Sequence, residues 1–138
     1  MKKCISWNID SLNAALTSDS DRAKLSRSVI ETIVAENADI IAIQETKLPF
    51  TGLTDKLKEA IESYFPDYEI EYVCSNPPAK KSYAGTMVLY KNTMKAKSHA
   101  PKIGAPDTMD SEGRLLTVEF DDFGKKIMYA SFAKLKKE

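Results

Sequence analysis

Residues 39–47, Asp39-Ile40-Ile41-Ala42-Ile43-Gln44-Glu45-Thr46-Lys47, decide the fold of this 138-residue chain. The stretch opens with an acid, continues with four apolar residues and turns polar at Gln44. A short apolar run without alternation is typical of a strand that is buried on both faces, as in a parallel sheet. Two parallel strands are joined by a crossover, so we expect a strand and a helix before this one.

The residues before Asp39 supply both elements of the crossover. Cys4 to Ile9 alternates apolar and polar side chains and predicts the first strand. The polar stretch Thr17 to Asp21 offers helix caps, and apolar residues then recur at helical spacing, which predicts a helix from Asp21 to Ala35. The apolar residues of this helix are Leu25, Val29, Ile30, Ile33 and Val34.

A second helix and several later strands complete the predicted secondary structure. Thr54 caps a run whose apolar residues recur at i, i+3, i+4, i+7 and i+8, and Pro66 ends that helix. Beyond Pro66, strand patterns separated by Pro and Gly predict an antiparallel meander. We therefore expect an α/β fold with one mixed sheet and two helices on one face. The later strands are predicted at Tyr68–Tyr72, Thr86–Lys91, Met94–His99, Arg114–Asp121 and Lys125–Ser131.

Two helices cover only one face of the predicted sheet. Ile40–Ile43 and Met87–Tyr90 are apolar on both faces, and a bare apolar face of that size is rare on soluble monomers. We therefore expect a homodimer, or a complementing second chain, packed sheet to sheet on the other face.

The composition is that of one soluble domain, and we treat residues 1–138 as a single domain. Apolar residues make up 43% of the chain and charged residues 29%, which excludes a disordered protein. The net charge is zero, so the overall charge gives no sign of a polyanionic partner. Residues 77–106, however, contain six lysines and no acid, and they form either a phosphate-facing strip or an ordinary solvated face.

The sequence predicts neither a membrane segment nor a disulfide framework. No apolar run reaches the length of about 18 residues that a membrane-spanning helix needs. Met1 to Ile5 leads directly into the first strand and not into the apolar stretch of a signal peptide, so we expect a cytoplasmic protein. Cys4 and Cys74 are too few for a disulfide framework, and we expect both to be reduced core residues.

Polar residues end the two strands that are predicted to be parallel neighbours. Asn8 and Asp10 follow the first strand, and Gln44 and Glu45 follow the second. Carboxylates at the carboxyl ends of adjacent strands can hold Mg²⁺, which prefers oxygen ligands and often takes only one or two carboxylates. The alternative is that Asn8 and Asp10 shape a turn while Glu45 pairs with Lys47 in solvent.

Four short motifs follow one another along the chain. They are Trp7-Asn8-Ile9-Asp10 with Leu12, Ala42-Ile43-Gln44-Glu45-Thr46-Lys47, Tyr83-Ala84-Gly85, and Asp110-Ser111-Glu112-Gly113-Arg114 with Glu119-Phe120-Asp121. In order and spacing they resemble the exonuclease III family of apurinic/apyrimidinic endonucleases, within the endonuclease/exonuclease/phosphatase superfamily, and especially its Gram-positive bacterial members. The resemblance implies that this chain is the amino-terminal half of a four-layer α/β sandwich.

The resemblance also implies roles for individual residues at a phosphate-cleaving site. Glu45 matches the family's metal-binding glutamate, while Asn8 and Asp10 match the asparagine and the acid that line the metal and phosphate site. Asp10 is therefore a second candidate metal ligand. Tyr129 matches the tyrosine whose phenol contacts the scissile phosphate. The implied cofactor is Mg²⁺, with Mn²⁺ as an alternative.

Three further positions lie where family members touch DNA, the implied partner, although Asn13 departs from the residue found at its position in some relatives. Tyr83 and Arg114 lie where relatives contact the DNA backbone. Asn13 lies where some relatives carry an arginine that reaches the DNA. Without the resemblance, Tyr83 and Tyr129 are equally well explained as strand aromatics.

The family's general base has no counterpart in this sequence. In the family, an Asp/His pair near the carboxyl terminus activates water, and an Asp-x-Asn segment supports it. The only histidine here, His99, has no acid next to it in sequence, so we expect an ordinary surface residue. Residues 130–138 depart from the family's Pro-Asn loop and form an atypical tail.

The resemblance implies a truncated Mg²⁺-dependent DNA-repair nuclease of the abasic-site endonuclease and 3′–5′ exonuclease kind, and the missing general base predicts little or no activity for this chain by itself. The first alternative is a non-catalytic half-domain that dimerises or complements a separate carboxyl half. The second alternative is another phosphodiesterase of the same superfamily, acting on inositol phosphates or RNA.

Overall fold

The computed structural model describes residues 3–121 and, for the backbone alone, residues 125–130. This part of the chain forms three α-helices, one 3₁₀ turn at Met109–Ser111 and seven β-strands. In chain order the strands and α-helices are β1 (Cys4–Asn8), α1 (Leu12–Thr17), α2 (Asp21–Glu36), β2 (Ile40–Gln44), α3 (Asp55–Tyr64), β3 (Tyr68–Val73), β4 (Thr86–Lys91), β5 (Ala96–His99), β6 (Leu115–Phe120) and β7 (Lys125–Ala130).

The first four strands form a mixed sheet, here called sheet A, with the order β1-β2-β4-β3. β1 and β2 are parallel, with Cys4 opposite Ile40 and Asn8 opposite Gln44. β4 is antiparallel to both β2 and β3. The predicted crossover and the mixed sheet are therefore confirmed, and the apolar run of β2 lies in the interior of sheet A as its sequence indicates.

The last three strands form a second sheet, sheet B, with the order β5-β6-β7 and antiparallel pairing throughout. The predicted meander is present, but it does not extend sheet A as the expectation of one mixed sheet required. Three alternate apolar residues of β6 belong to a cluster that packs sheet B face to face on sheet A, and Thr117 between them is buried as well. The three residues are Leu116, Val118 and Phe120.

Sheet B covers the face of sheet A that the sequence analysis left open. Ile40 and Val88 are 0% exposed and pack in one cluster with the apolar residues of β6. Tyr90 meets Phe120 edge to face, with ring centroids 5.3 Å apart. The argument that a second chain must bury this face is therefore wrong, because the chain buries it with its own strands. A homodimer or a complementing chain stays a prediction without that support.

The three helices pack on the opposite face of sheet A around a second apolar cluster that includes Ile41, Ile43, Met87 and Leu89. The Ser20 hydroxyl caps α2 by accepting from the Ala23 amide, and Thr54 caps α3 by accepting from Leu57. Both predicted helices are confirmed. α1 was not predicted, although Ser11 caps it and its apolar residues recur at helical spacing.

The buried face of α2 differs from the predicted one. Ala23, Ile30 and Ile33 are its buried residues, whereas Leu25 is 67% exposed and Val34 is 37% exposed. A residue two positions along a helix lies about 200° around its axis. Leu25 therefore points away from the face that begins with Ala23.

Three smaller expectations have mixed outcomes. Among the described residues, no helix is both long and apolar enough to cross a membrane, and the cytoplasmic address stays a prediction. Cys74 is half-buried, but Cys4 is exposed on β1, so the expectation that both are core residues is wrong for Cys4. Of the predicted tail, only Ala130 lies within the described residues.

Candidate functional site

The carboxyl ends of β1 and β2 stay paired beyond the last residues of the two strands. The Ile9 amide donates to the Gln44 carbonyl, the Ser11 amide to that of Glu45, and the Leu12 amide to that of Thr46, over 3.1, 2.8 and 3.0 Å. Two loops that are far apart in sequence therefore leave sheet A side by side. This pairing brings Asn8, Asp10 and Glu45 together at one end of the sheet.

The loop between β3 and β4 joins the same end of sheet A. The Thr46 amide donates to the Gly85 carbonyl over 3.3 Å, and the Lys47 amide donates to the Ala84 carbonyl over 2.8 Å. Gly85 has a φ of +92°, and a Cβ there would lie 2.4 Å from the Thr46 Oγ1. Glycine is therefore required where this loop crosses Thr46, and the crossing places Tyr83 near the β2 loop.

Backbone strain is concentrated at this end of the sheet. Asp10, Ser11, Glu45 and Lys47 have φ angles of 50°, 98°, 56° and 52°, in the left-handed region that side chains disfavour. They are four of the eight non-glycine residues with positive φ among those described. Clustered strain of this kind is characteristic of functional sites.

Two cations hold the carboxylate of Asp10. The Lys47 Nζ lies 2.5 Å from Oδ1, and the Arg22 guanidinium donates to Oδ2. These hydrogen bonds, that of Lys47 first and that of Arg22 second, keep the pKa of Asp10 below its ordinary value. The alternative that pairs Lys47 with Glu45 is therefore wrong about the partner. The other part of that alternative, a turn shaped by Asn8 and Asp10, agrees with the structure. The Asn8 Oδ1 accepts a hydrogen bond from the Asp10 amide over 3.1 Å.

The polar groups at this end of the sheet suit a hard divalent cation. Asn8, Asp10 and Glu45 offer oxygen donors and no sulfur or imidazole, which is the donor chemistry that Mg²⁺ prefers. Within the described ranges, no cluster of three or more His, Cys, Asp or Glu residues could hold a metal ion. Mg²⁺ commonly takes only one or two protein carboxylates, so Glu45 is a suitable ligand, whereas both carboxylate oxygens of Asp10 are paired with Lys47 and Arg22.

The structure stacks two of the predicted DNA contacts on each other. The guanidinium of Arg114 lies 5.3 Å from the ring centroid of Tyr83, and its Nε donates to the Glu112 Oε2 over 2.5 Å. The Arg114 side chain is only 3% exposed, while Tyr83 is half-buried. Arg114 therefore packs against the ring of Tyr83. A direct contact of Arg114 with DNA stays a prediction.

The remaining predicted residues lie in different places. Asn13 is exposed on α1, and its carbonyl accepts from the Thr17 hydroxyl. Tyr129 pairs with Leu116 in the register of β7 and β6, but its side chain lies outside the described residues. His99 is exposed on β5, as expected.

The predicted lysine strip is divided between different parts of the fold. Lys80, Lys81 and Lys102 are exposed in the β3–β4 and β5–β6 loops, at the end of the sheets that carries Asp10. Lys91 instead donates to the side chain of Asn37, beyond the opposite end of β2, and Lys95 lies in the turn after β4. Lys97 lies within β5, opposite Glu119, so only the three loop lysines of the strip lie at the end of the sheets that carries Asp10.

Arg22 was missed by the sequence analysis, although it contacts Asp10 directly. A cation in the first turn of a helix is unfavourable next to the positive end of the helix dipole. Its presence there, directly after the cap residues of α2, was the available signal of a specific anionic partner.

Comparisons with known proteins agree with this geometry. The sequence profile described as the Endonuclease/Exonuclease/phosphatase family matches residues 5–127. The chain belongs to this family. The resemblance inferred from the four motifs is thereby confirmed.

Two of the relatives that the chain matches are exodeoxyribonucleases. An exodeoxyribonuclease of Streptococcus pneumoniae is 63% identical over 121 residues, which cover 88% of this chain and 44% of the relative. An exodeoxyribonuclease of Bacillus subtilis is 32% identical over 120 residues, covering 87% of this chain and 39% of the relative. The chain thus spans about two fifths of the length of these relatives.

Solved structures of the family share the fold. The AP endonuclease LMAP from Leishmania major matches with a TM-score of 0.63 at 24% identity, over 96% of this chain and 40% of that one. The 3′-5′ exonuclease NExo from Neisseria meningitidis matches with a TM-score of 0.57 at 20% identity, over 93% and 40%. The α/β class and the partial sandwich are therefore confirmed.

Proposed function

We propose that this chain is part of a Mg²⁺-dependent DNA-repair nuclease that acts beside abasic sites and on 3′ ends. The observation that carries the proposal is the backbone pairing that sets Asn8, Asp10 and Glu45 side by side at the carboxyl ends of two parallel strands. Relatives that are exodeoxyribonucleases support DNA as the substrate. The proposal includes a cytoplasmic location.

Each group at the site has a task in this proposal. Glu45 would hold the cation, Mg²⁺ or alternatively Mn²⁺, with Asp10 as the second candidate ligand, and Asn8 would orient the phosphate beside them. When bound there, the cation would neutralise the charge that develops on the phosphate. Tyr83, held by Arg114, lies along the DNA backbone together with Asn13, and Tyr129 contacts the scissile phosphate. Exposed lysines of the neighbouring loops add attraction for the polyanion. These lysines are Lys80, Lys81 and Lys102.

The proposal assigns little or no activity to the chain by itself. A positioned general base contributes about 10² to 10⁴ in rate, and the sole histidine, His99, lies on a strand of sheet B. The activity of a whole enzyme is proposed here only for a protein as long as the relatives, of which this chain spans about two fifths.

The test uses an abasic DNA duplex labelled with fluorescein. We expect Mg²⁺ to strengthen binding of the duplex to the chain, and we expect the same addition to have no effect on the Glu45→Gln variant. Glu59→Gln, on the exposed face of α3, is the matched control and should respond like the wild type. The proposal is contradicted if Mg²⁺ does not strengthen binding of the duplex to the wild type. It is also contradicted if Glu45→Gln responds to Mg²⁺ as the wild type does.

A second candidate function is that of a half-domain that complements a separate carboxyl-terminal portion. One feature favours it: among the described residues β1 is one of the two edge strands of sheet A, and its Cys4, Ser6 and Asn8 are exposed. An open edge offers unpaired backbone groups to a further strand. Adding the carboxyl-terminal portion of an exodeoxyribonuclease relative should then produce Mg²⁺-dependent cleavage. Light scattering of the chain alone distinguishes this candidate from a homodimer, because only a homodimer has twice the mass of one chain.

A further inference from the structure

A cavity of about 300 Å³ lies beside Asp10, on the side of the helices. It is bounded by α1, by the first turns of α2 and by the loop after β2. Neither Asn8 nor Glu45 lines it, so it is a separate space that shares only Asp10 and Lys47 with the candidate metal site. The lining residues are Asp10, Ser11, Ala14, Ala15, Ser20, Arg22, Ala23, Ser26 and Lys47.

The charge of this cavity is positive. Arg22 and Lys47 bring two cations, and Asp10 is the one acid that lines the space. Asp10 holds both cations, one on each carboxylate oxygen, and thereby fixes their heads at the cavity wall. The Arg22 side chain is nevertheless 72% exposed. Its remaining guanidinium N–H groups can therefore reach a ligand without breaking the pair with Asp10.

Hydroxyl groups complete a wall of donors. The Oγ of Ser11 accepts from the Ala14 amide over 3.2 Å, and the Oγ of Ser20 accepts from the Ala23 amide over 3.1 Å. A hydroxyl that accepts one hydrogen bond can still donate its own proton. Ser26 adds a third hydroxyl to the lining. Guanidinium, ammonium and hydroxyl donors around one space are the groups that bind phosphate oxygens.

We propose that this cavity binds a backbone phosphate of the nucleic-acid strand, a different phosphate from the one at Asn8 and Glu45. Arg22 is its principal donor, Lys47 is shared between the two sites, and Asp10 positions both cations. The inference rests on the proposed function for the identity of the ligand, because Asp10 and Lys47 border the proposed cleavage site. It adds an anchor that holds the strand on the α1–α2 side of that site.

The test is a pair of charge-removing variants on the same helix. Arg22→Gln removes the proposed donor, and Lys24→Gln removes an exposed cation two residues further along α2, outside the cavity. Binding of a fluorescein-labelled single-stranded 12-mer is followed by anisotropy in EDTA at several salt concentrations. We expect Arg22→Gln to weaken binding about tenfold at low salt and to reduce the slope of log affinity against log salt by about one. Lys24→Gln should bind as the wild type does.

Two further measurements make the result decisive. Arg22→Lys keeps the charge but loses the planar fork, so it should recover part of the affinity. Inorganic phosphate, titrated into ¹⁵N-labelled protein, should shift the Arg22 Nε–Hε signal and the amide signals around Ser20. Equal losses in Arg22→Gln and Lys24→Gln overturn the inference, and so does a phosphate shift at Arg22 without any loss of oligonucleotide affinity in Arg22→Gln.

The absence of metal separates this test from that of the proposed function. If Mg²⁺ does not strengthen binding of the abasic duplex while Arg22→Gln still weakens binding of the oligonucleotide, the cavity binds phosphate and the nuclease proposal is wrong. If the Mg²⁺ response holds while the two glutamine variants behave alike, the nuclease proposal stands and the cavity inference is wrong.

Discussion

The amide of Ser11 donates a hydrogen bond of 2.8 Å to the carbonyl of Glu45. This bond continues the pairing of two parallel strands into the loops that follow them, although both residues have left-handed φ angles. The two loops are therefore hydrogen-bonded to each other, and they carry the side chains of Asp10 and Glu45. Such backbone pairing helps to position the side chains of a site for phosphate chemistry, where positioning supplies much of the rate.

The first prediction concerns the ionisation of Asp10. Its pKa is lowered by Lys47 more than by Arg22. Lys47→Met should therefore raise the pKa of Asp10 further than Arg22→Met does, as followed by NMR of the carboxyl carbon. An equal rise in the two variants, or no rise in Lys47→Met, contradicts the assigned order of the two partners.

The ion pairs of Asp10 with Lys47 and Arg22 also make the stability of the protein depend on pH, with a definite sign. A carboxyl group whose pKa is lower in the folded state stabilises the fold above its unfolded pKa of about 3.9, and this contribution is lost as the pH falls through the folded value. Asp10→Asn should therefore be less stable than the wild type at pH 7. In urea unfolding the difference should shrink below about pH 4.

The second prediction concerns the glycine that lets two site loops cross. Gly85→Ala places a Cβ 2.4 Å from the Thr46 Oγ1 at a φ of +92°, whereas Gly104→Ala has a similar φ of +74° and nothing within 4 Å. We expect a loss of about 1 kcal/mol in the free energy of unfolding for Gly104→Ala. Gly85→Ala should lose about 2 to 4 kcal/mol, because overpacking adds to backbone strain. Equal losses in urea unfolding argue against the close crossing.

The third prediction tests whether sheet B covers sheet A. Leu116 is 2% exposed and packs between the sheets, while Leu115 is half-buried and points to the opposite face of β6. Leu116→Ala should cost about 2 to 5 kcal/mol of unfolding free energy. Leu115→Ala should cost about 1 kcal/mol. A reversed order, or a loss in Leu116→Ala that depends on protein concentration, favours a second chain on this face.

Local sequence patterns predicted most elements because helical spacing, strand alternation or an unbroken apolar run marks most of the helices and strands here. The interior position of β2 followed from Ile40–Ile43, and α3 followed from its apolar spacing between Thr54 and Pro66. The division into two sheets did not follow. Alternation along β6 shows that one face of Leu115–Phe120 is buried, but it does not say whether helices or another sheet cover that face.

The site was predictable to the extent that strand ends determine it. Parallel neighbours bring their carboxyl ends to one edge, so the meeting of Asn8 and Glu45 could be foreseen from two strand patterns. The partners of Asp10 could not be foreseen from the strand patterns. Arg22 reaches Asp10 only because α2 begins beside the β1 loop, and that placement depends on how α1 and α2 pack.

The central claim is that the oxygen donors at the ends of β1 and β2 form a divalent-cation site. Binding of Mn²⁺ to the DNA-free chain, followed by electron paramagnetic resonance of the free ion, tests it most directly. We predict binding at one site per wild-type chain, abolished in Glu45→Gln and retained in Glu59→Gln. Equal binding by the wild type and Glu45→Gln, or no binding by either, contradicts the claim.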